Sequence, residues 1–212
     1  MKKLLGILFL SMGLMANAAH ASPNAPKLGT DYSVLAQPQP VSTPPGKIEV
    51  TEFFWYGCPH CYALEPLIEA WAKQKGDDVV FRRIPVAFRP DFEPHSRLYH
   101  ALDAMGIAEQ MTPKIFNEIH VKKDYLLTPE AQADFLAKNG VDRQKFLDAY
   151  NSFGVQSAVK RDAGLLNDYK IDGVPTIIVQ GKYVTSPAQT NSLDGTIKVL
   201  DWLDAQVRAK KL

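Results

Sequence analysis

FFWYGCPHCYALEP, residues 53–66, holds the only two cysteines of the 212-residue chain, Cys58 and Cys61, separated by Pro59 and His60. Such a pair is a structural staple, half of a metal site, or a redox reagent, and its surroundings discriminate among the three. On its N-terminal side, Lys47 to Trp55 (KIEVTEFFW) is rich in β-formers and apolar on both parities, the pattern of a buried strand. Ile48, Val50, Glu52 and Phe54 share one face, so an acid stands where a core residue is expected. After Gly57 the spacing turns helical: Cys61, Leu64, Ile68 and Trp71 recur until Gly76. Asp78 to Val86 (DVVFRRIPV) reads as a second strand, which makes a βαβ unit with parallel pairing.

Outward from this unit the chain changes character twice. Residues 91–166 are helical in pattern: Thr128 followed by Pro129 is an N-cap with proline at the first helical position, and Gly140 closes that helix. Asp142 caps the next, with Val141 and Phe146 at hydrophobic-staple positions. Phe135, Leu136, Phe146, Leu147, Tyr150 and Phe153 supply a helix-on-helix core. The last third returns to α/β: Thr176–Gln180 and Lys182–Thr185 are short strands joined tightly through Gly181, hence antiparallel. A final helix follows, with Ser192 as its cap and Ile197, Leu200, Leu203 and Val207 on one face.

The N-terminus fixes the compartment. Lys2 and Lys3, the apolar run Leu4–Leu14 and the tripeptide Ala19-His20-Ala21 form a secretory signal peptide cut after Ala21. Removal of these 21 residues from the 212 leaves 191, enough to bury a core without disulfide staples. The formal charge of +1 becomes −1 once Lys2 and Lys3 are gone, with both signs interspersed, so no nucleic-acid footprint exists. Residues 22–46 carry Pro23, Pro26, Pro38, Pro40, Pro44 and Pro45 and read as an extended arm without its own core.

An exported protein of this size with a single cysteine pair two residues apart is not stapled by it. Loop-closure stabilisation grows with loop length, and this loop is among the shortest possible. A zinc site built from Cys58, Cys61, His95 and His100 fails on spacing, because the gap between pairs far exceeds the roughly 12–15 residues of finger patterns. The histidines at 95, 100 and 120 are read as surface or helix-packing residues, and no metal site is expected. A reagent remains. Cys58 falls at a helix N-terminus, where unpaired N–H groups and partial positive charge favour thiolate over thiol. His60 in the same turn assists as a cation or donor. Cys61, one turn in, points toward the core. Glu65, four residues after Cys61, lies on the same helical stripe. Glu52 lies beneath the motif, and either carboxylate is placed to accept or relay a proton as Cys61 changes state.

W-Y-G-C-P-H-C-Y (55–62) opening a helix, Pro66 eight residues after Cys58, and G-V-P-T (173–176) before a strand resemble the thioredoxin superfamily. The helical block between the two halves and the Pro-His dipeptide are similar to the periplasmic thiol oxidases of the DsbA family. The resemblance implies an α/β thioredoxin-like fold, a central mixed sheet flanked by helices, with an inserted all-helical domain. Residues 47–90 and 160–212 form the discontinuous thioredoxin-like domain and 91–159 the insertion. It implies that Cys58 is the attacked sulfur and Cys61 its buried partner, that Pro59 and His60 set redox poise with Glu52 and Glu65 nearby, and that Val174 and a cis Pro175 face the cysteines and pair with substrate. It further implies a monomer without cofactor. The monomer acts on unfolded exported chains in the periplasm and is reoxidised by a quinone-linked inner-membrane oxidoreductase of the DsbB type. The alternatives are a reductase or isomerase of the same superfamily, or an exported chaperone with a structural disulfide. An isomerase is expected to carry a separate dimerisation domain, and a reductase more often has Gly-Pro between its cysteines.

Overall fold

Apolar residues on both parities of Ile48–Phe54 leave that strand no solvent face, so it must be central. In a computed structural model, which describes residues 25–212, strand β2 (Ile48–Phe54) is buried at every position. The signal-peptide expectation lies outside the described residues. β2 is preceded by β1 (Ser33–Val34) and followed by helix α1 (Pro59–Lys75) and β3 (Val79–Pro85). Helices α2 (Glu93–Ala104), α3 (Ala108–His120), α4 (Pro129–Lys138), α5 (Arg143–Tyr150) and α6 (Phe153–Asp168) come next. The chain ends with β4 (Thr176–Val179), β5 (Tyr183–Thr185), the short α7 (Pro187–Thr190) and α8 (Leu193–Arg208). The sheet has the order β1-β5-β4-β2-β3, with β2 and β3 parallel and the other pairs antiparallel. It is therefore mixed, as expected of a βαβ unit joined to a hairpin.

Alternation along the strands sends side chains to two different cores. Ile48, Val50, Ile177 and Val179 meet Leu64, Ile68 and Trp71 of α1 and Val199, Leu200 and Leu203 of α8. Phe53, Ile84 and Ile178 point the other way, toward Leu165, Leu166 and Tyr169. A third cluster fills the helical insertion around Leu98, Leu102, Ile115, Phe116, Leu136 and Phe146, and it reaches Phe54, Tyr56 and both cysteines. The boundary expected at 159/160 falls inside α6. Its Val155 packs with the insertion while Leu165 and Leu166 pack on the sheet, so one helix ties the two parts together. The caps follow the sequence reading: Thr128, Asp142 and Ser192 accept from Ala131, Lys145 and Gly195 N–H respectively.

The proline-rich arm does more than lie on the surface. Ser33 pairs with Val184 and Val34 with Tyr183, adding a fifth strand at the sheet edge. Tyr32 is buried and its ring packs against Trp202 at 5.3 Å. Gln39 N–H donates to the Gly181 carbonyl at 2.8 Å. Gly181 has φ +62°, and a Cβ there would run into the Gln39 carbonyl, so the tight β4–β5 turn needs glycine on both counts. A two-residue strand between prolines is too short to leave a period-two signal.

Candidate active site

The site begins where β2 stops. Trp55 stacks on Phe92 with ring centroids 3.8 Å apart, and its indole occupies the space that a Cβ at Gly57 would need. Glycine at 57 thus lets the chain turn under the Trp55 ring from strand to helix. Cys58 then takes extended backbone angles (φ −84°, ψ 118°) as the N-cap of α1, with Pro59 in the first helical turn. A cap side chain normally offers oxygen to the orphan N–H groups; here it offers sulfur. The Cys61 N–H reaches Cys58 Sγ at 3.4 Å.

The two thiols are inequivalent. Cys58 is lowered to about 6, first because the Cys61 thiol donates to it, and then, against the cost of burial, because the Cys61 and His60 backbone N–H groups and the His60 charge favour the thiolate. Cys61 is raised well above the ordinary thiol value, chiefly by burial, with the Cys58 thiolate and the Glu52 charge adding to it. The backbone N–H groups of the helix N-terminus and the His60 charge lower it, but the largest contribution is the partner thiol itself. Cys58 is also less open than expected: it is 7% exposed against 0% for Cys61. The lid over it is the Val174–Pro175 loop, whose peptide bond is cis. The Val174 carbonyl lies 3.4 Å from Cys58 Sγ. Beside this loop opens a cleft of about 330 Å3 walled by His60, Gly173, Val174, Pro175, Pro187 and Asn191. His60 is exposed at its edge, and the neighbouring Pro59 is exposed too.

Beneath the cysteines the two acids are joined by a residue that the sequence reading passed over. Arg83 is the register partner of Glu52 on the adjacent parallel strand. Its Nε donates to Glu52 at 3.0 Å and its NH2 group to Glu65 at 2.7 Å, with all three side chains buried. The signal was available in VVFRRIPV: in a buried strand, alternation turns one of two adjacent arginines inward, where it needs acids. One cation cannot neutralise two buried carboxylates. Burial therefore raises Glu52 and pushes Glu65 up to about 7, each against the opposing pull of Arg83, while the carboxylates raise Arg83 further. Both acids thus keep their protons to higher pH than ordinary carboxyls, with Arg83 charged.

The histidines are committed elsewhere. His95 donates to the Tyr125 carbonyl at 2.8 Å, His120 to the Tyr56 carbonyl at 2.8 Å, and His100 pairs with Asp162 at 2.6 Å. Among the described residues no three His, Cys, Asp or Glu side chains gather as a metal-binding group.

The dithiol state makes a pH-dependent prediction. Between Cys58's folded value of about 6 and an unfolded value of about 8.5, the unfolded dithiol chain binds more protons, so stability rises with pH. The gain is about 1.4 kcal/mol at pH 7 and is lost as pH falls through about 6. Cys61, raised in the fold, has the opposite sign and acts above about 8.5, where the unfolded thiol ionises. The disulfide form lacks both titrations. Urea unfolding of the two forms is expected to show their stability difference shifting toward the dithiol form from pH 6 to 8, then turning back.

Comparisons with known proteins bear on the whole chain. Residues 83–197 match the model of a DSBA-like thioredoxin domain. Thiol:disulfide interchange protein DsbA of Burkholderia cepacia is 63% identical over 212 residues, covering 100% of both chains, and that of Azotobacter vinelandii is 41% identical over 98% of both. A crystal structure of Pseudomonas aeruginosa DsbA superposes with a TM-score of 0.82 at 41% identity, covering 87% of this chain and 96% of that one. The matched domain model begins after the cysteines, but the full-length alignments extend across the N-capping thiol, its buried partner and the carboxylates beneath. The chain belongs to the DsbA family of thiol:disulfide oxidoreductases.

Proposed function

We propose that the protein works as an oxidant in the bacterial periplasm, handing its Cys58–Cys61 disulfide to newly exported, unfolded chains. The observation that supports this direction is the inequality of the two sulfurs. Stabilising the Cys58 thiolate at a helix N-cap stabilises the dithiol product, and a stable product makes the disulfide a stronger oxidant.

In the working sequence a substrate thiolate attacks Cys58 Sγ, forming a mixed disulfide and breaking the Cys58–Cys61 bond. Cys61 leaves as a thiolate in a buried site that disfavours it, within reach of the Glu52 charge, and Glu52 and Glu65 hold a proton to higher pH than ordinary carboxyls. That proton passes to Cys61 and is later replaced from solvent, which gives Glu52 and Glu65 their roles and makes Arg83 the residue that holds them in place. The substrate's second thiolate then attacks its own mixed-disulfide sulfur and expels Cys58, already comfortable as a thiolate. Two electrons have moved from substrate to protein, sulfur to sulfur, so no cofactor takes part. Val174 offers its backbone for strand-like pairing with an extended substrate. The dithiol is returned to the disulfide by a quinone-linked inner-membrane oxidoreductase of the DsbB type, with the protein acting as a monomer.

The test is stoichiometric. Oxidised protein mixed with a reduced, unfolded two-cysteine protein should place one disulfide in the substrate for each Cys58–Cys61 disulfide consumed. Transfer in the opposite direction, with substrate disulfides opened by the dithiol form under the same conditions, is the reductase result and contradicts the proposal.

A further inference from the structure

Two tyrosines bracket the dithiol motif, Tyr56 two residues before Cys58 and Tyr62 directly after Cys61. Both are held by one stripe of α3. Thr112, Phe116 and His120 follow one another at four-residue steps, so they share a face of that helix over about 12 Å. Thr112 Oγ1 lies 2.9 Å from the Tyr56 hydroxyl, with both residues fully buried. Phe116 meets the Tyr56 ring edge-on, with centroids 5.3 Å apart. His120 Nε2 donates to the Tyr56 carbonyl at 2.8 Å, and the His120 ring lies flat against Tyr62 at 4.9 Å. α3 therefore grips Tyr56 at both ends, the hydroxyl and the main chain.

The main-chain contact matters because of the turn it falls on. The Cys58 N–H closes a four-residue turn on the Trp55 carbonyl at 2.9 Å, which makes Tyr56 and Gly57 its central residues. The two common forms of such a turn differ by a flip of the peptide between the central residues, and glycine in the third place lets the chain adopt either. The Trp55 indole demands glycine at 57, so no side chain there can close off the flipped form. In the observed form Gly57 lies outside the left-handed region and the Tyr56 carbonyl points at His120.

We propose that His120 is a positioning residue for the reaction: by holding the Tyr56–Gly57 peptide in one orientation, it delivers Cys58 to the N-cap of α1 with its sulfur facing the Cys61 N–H. The helical insertion thereby helps to set how strongly the pair oxidises, through a contact made on the turn before Cys58. The inference rests on the oxidant reading above, in which a stable Cys58 thiolate gives the disulfide its strength. A histidine kept only for packing would act through the Tyr62 stack instead, and substitution separates the two contacts.

The test uses three variants of the full mature protein. His120→Phe keeps a ring against Tyr62 and loses the donor. His120→Asn carries its amide short of the carbonyl. His120→Gln places an amide nitrogen where the imidazole Nε2 stands, without the ring. The readouts are the Cys58 thiolate titration by ultraviolet absorbance and the equilibrium with glutathione at pH 7, which a loss of packing alone does not move. The Phe and Asn variants are expected to lower the Cys58 ionisation constant about fivefold, the worth of one hydrogen bond. Their disulfides should be weaker oxidants at pH 7 by about fourfold. The Gln variant should stay within about twofold of the parent in both readouts. A titration unmoved in both the Phe and Asn variants overturns the proposal, as does a Gln variant displaced as far as they are. The parent's own titration separates the two readings. A parent that titrates near the ordinary thiol value of about 8.5 removes the oxidant reading and this proposal with it. A parent that titrates near 6, with the Phe and Asn variants unmoved, rejects the role of His120 alone.

Discussion

Cys58→Ser is expected to lower the rate of dithiol oxidation by at least about a thousandfold, the scale on which loss of a covalent nucleophile is felt. Nothing near the site can take its place. Cys61 is fully buried, and the remaining polar groups around the pair are committed to one another. Cys61→Ala should fail differently. Its lone Cys58 thiolate still attacks a disulfide-containing substrate, but no second sulfur stands one helical turn away to release the product. The variant should therefore accumulate as a mixed disulfide, visible as the summed mass of protein and substrate, while Cys58→Ser forms none. Equal trapping by both variants would mean that the reactive and buried roles have been assigned the wrong way round.

Arg83→Met is expected to cost about 3–5 kcal/mol of stability at neutral pH, because it leaves two buried carboxylates without their cation. The penalty carries a pH signature. With Arg83 gone, Glu52 and Glu65 are raised further in the folded state, whereas in the unfolded chain they titrate near 4.3. A carboxyl raised by folding loses stability as pH climbs above its unfolded value. The parent's own acids are raised as well, so the variant should lie nearest the parent at low pH, where both hold these carboxyls protonated, and fall away as pH rises through the range in which the parent's acids ionise, to about 7 and beyond for Glu65, measured by urea midpoints. Adding Glu52→Gln and Glu65→Gln to Arg83→Met should recover most of the loss at pH 7, since the triple variant buries no charge. A flat pH dependence would mean that the arginine acts by packing, for instance over the Phe81 ring at 5.0 Å, and not by charge.

The fold was largely legible because its parts announce themselves locally. A two-sided apolar strand, a capped helix opening on Cys58, and caps at Thr128, Asp142 and Ser192 are statements about neighbouring residues, and each is found as read. What escaped is non-local. Ser33–Val34 becomes a strand only because β5 presents a free edge to it, and no two-residue stretch between prolines encodes that. Arg83 joins Glu52 through strand register and Glu65 through the crossing of α1 over the sheet. The acids could be singled out because each sits at a definite spacing from the cysteines, whereas their cation lies on a different strand. The burial of Cys58 likewise depends on the Val174–Pro175 loop, more than a hundred residues away in sequence.

The central claim is that the pair is oxidising because Cys58 is a thiolate at working pH, and one measurement addresses it directly: the equilibrium between the protein and a glutathione redox buffer as a function of pH. If Cys58 titrates at about 6 and Cys61 stays protonated, reduction by glutathione releases one proton above that pH and none below it. The equilibrium constant for reduction should then be flat below pH 6 and rise close to tenfold per unit from about 6.5 toward 8, before glutathione itself ionises near the ordinary thiol value of about 8.5. At pH 7 this ionisation accounts for about 1.4 kcal/mol, or about 30 mV in a two-electron couple. An equilibrium constant that does not change between pH 6 and pH 8 would contradict the account, because it would mean that the helix N-cap holds a thiol.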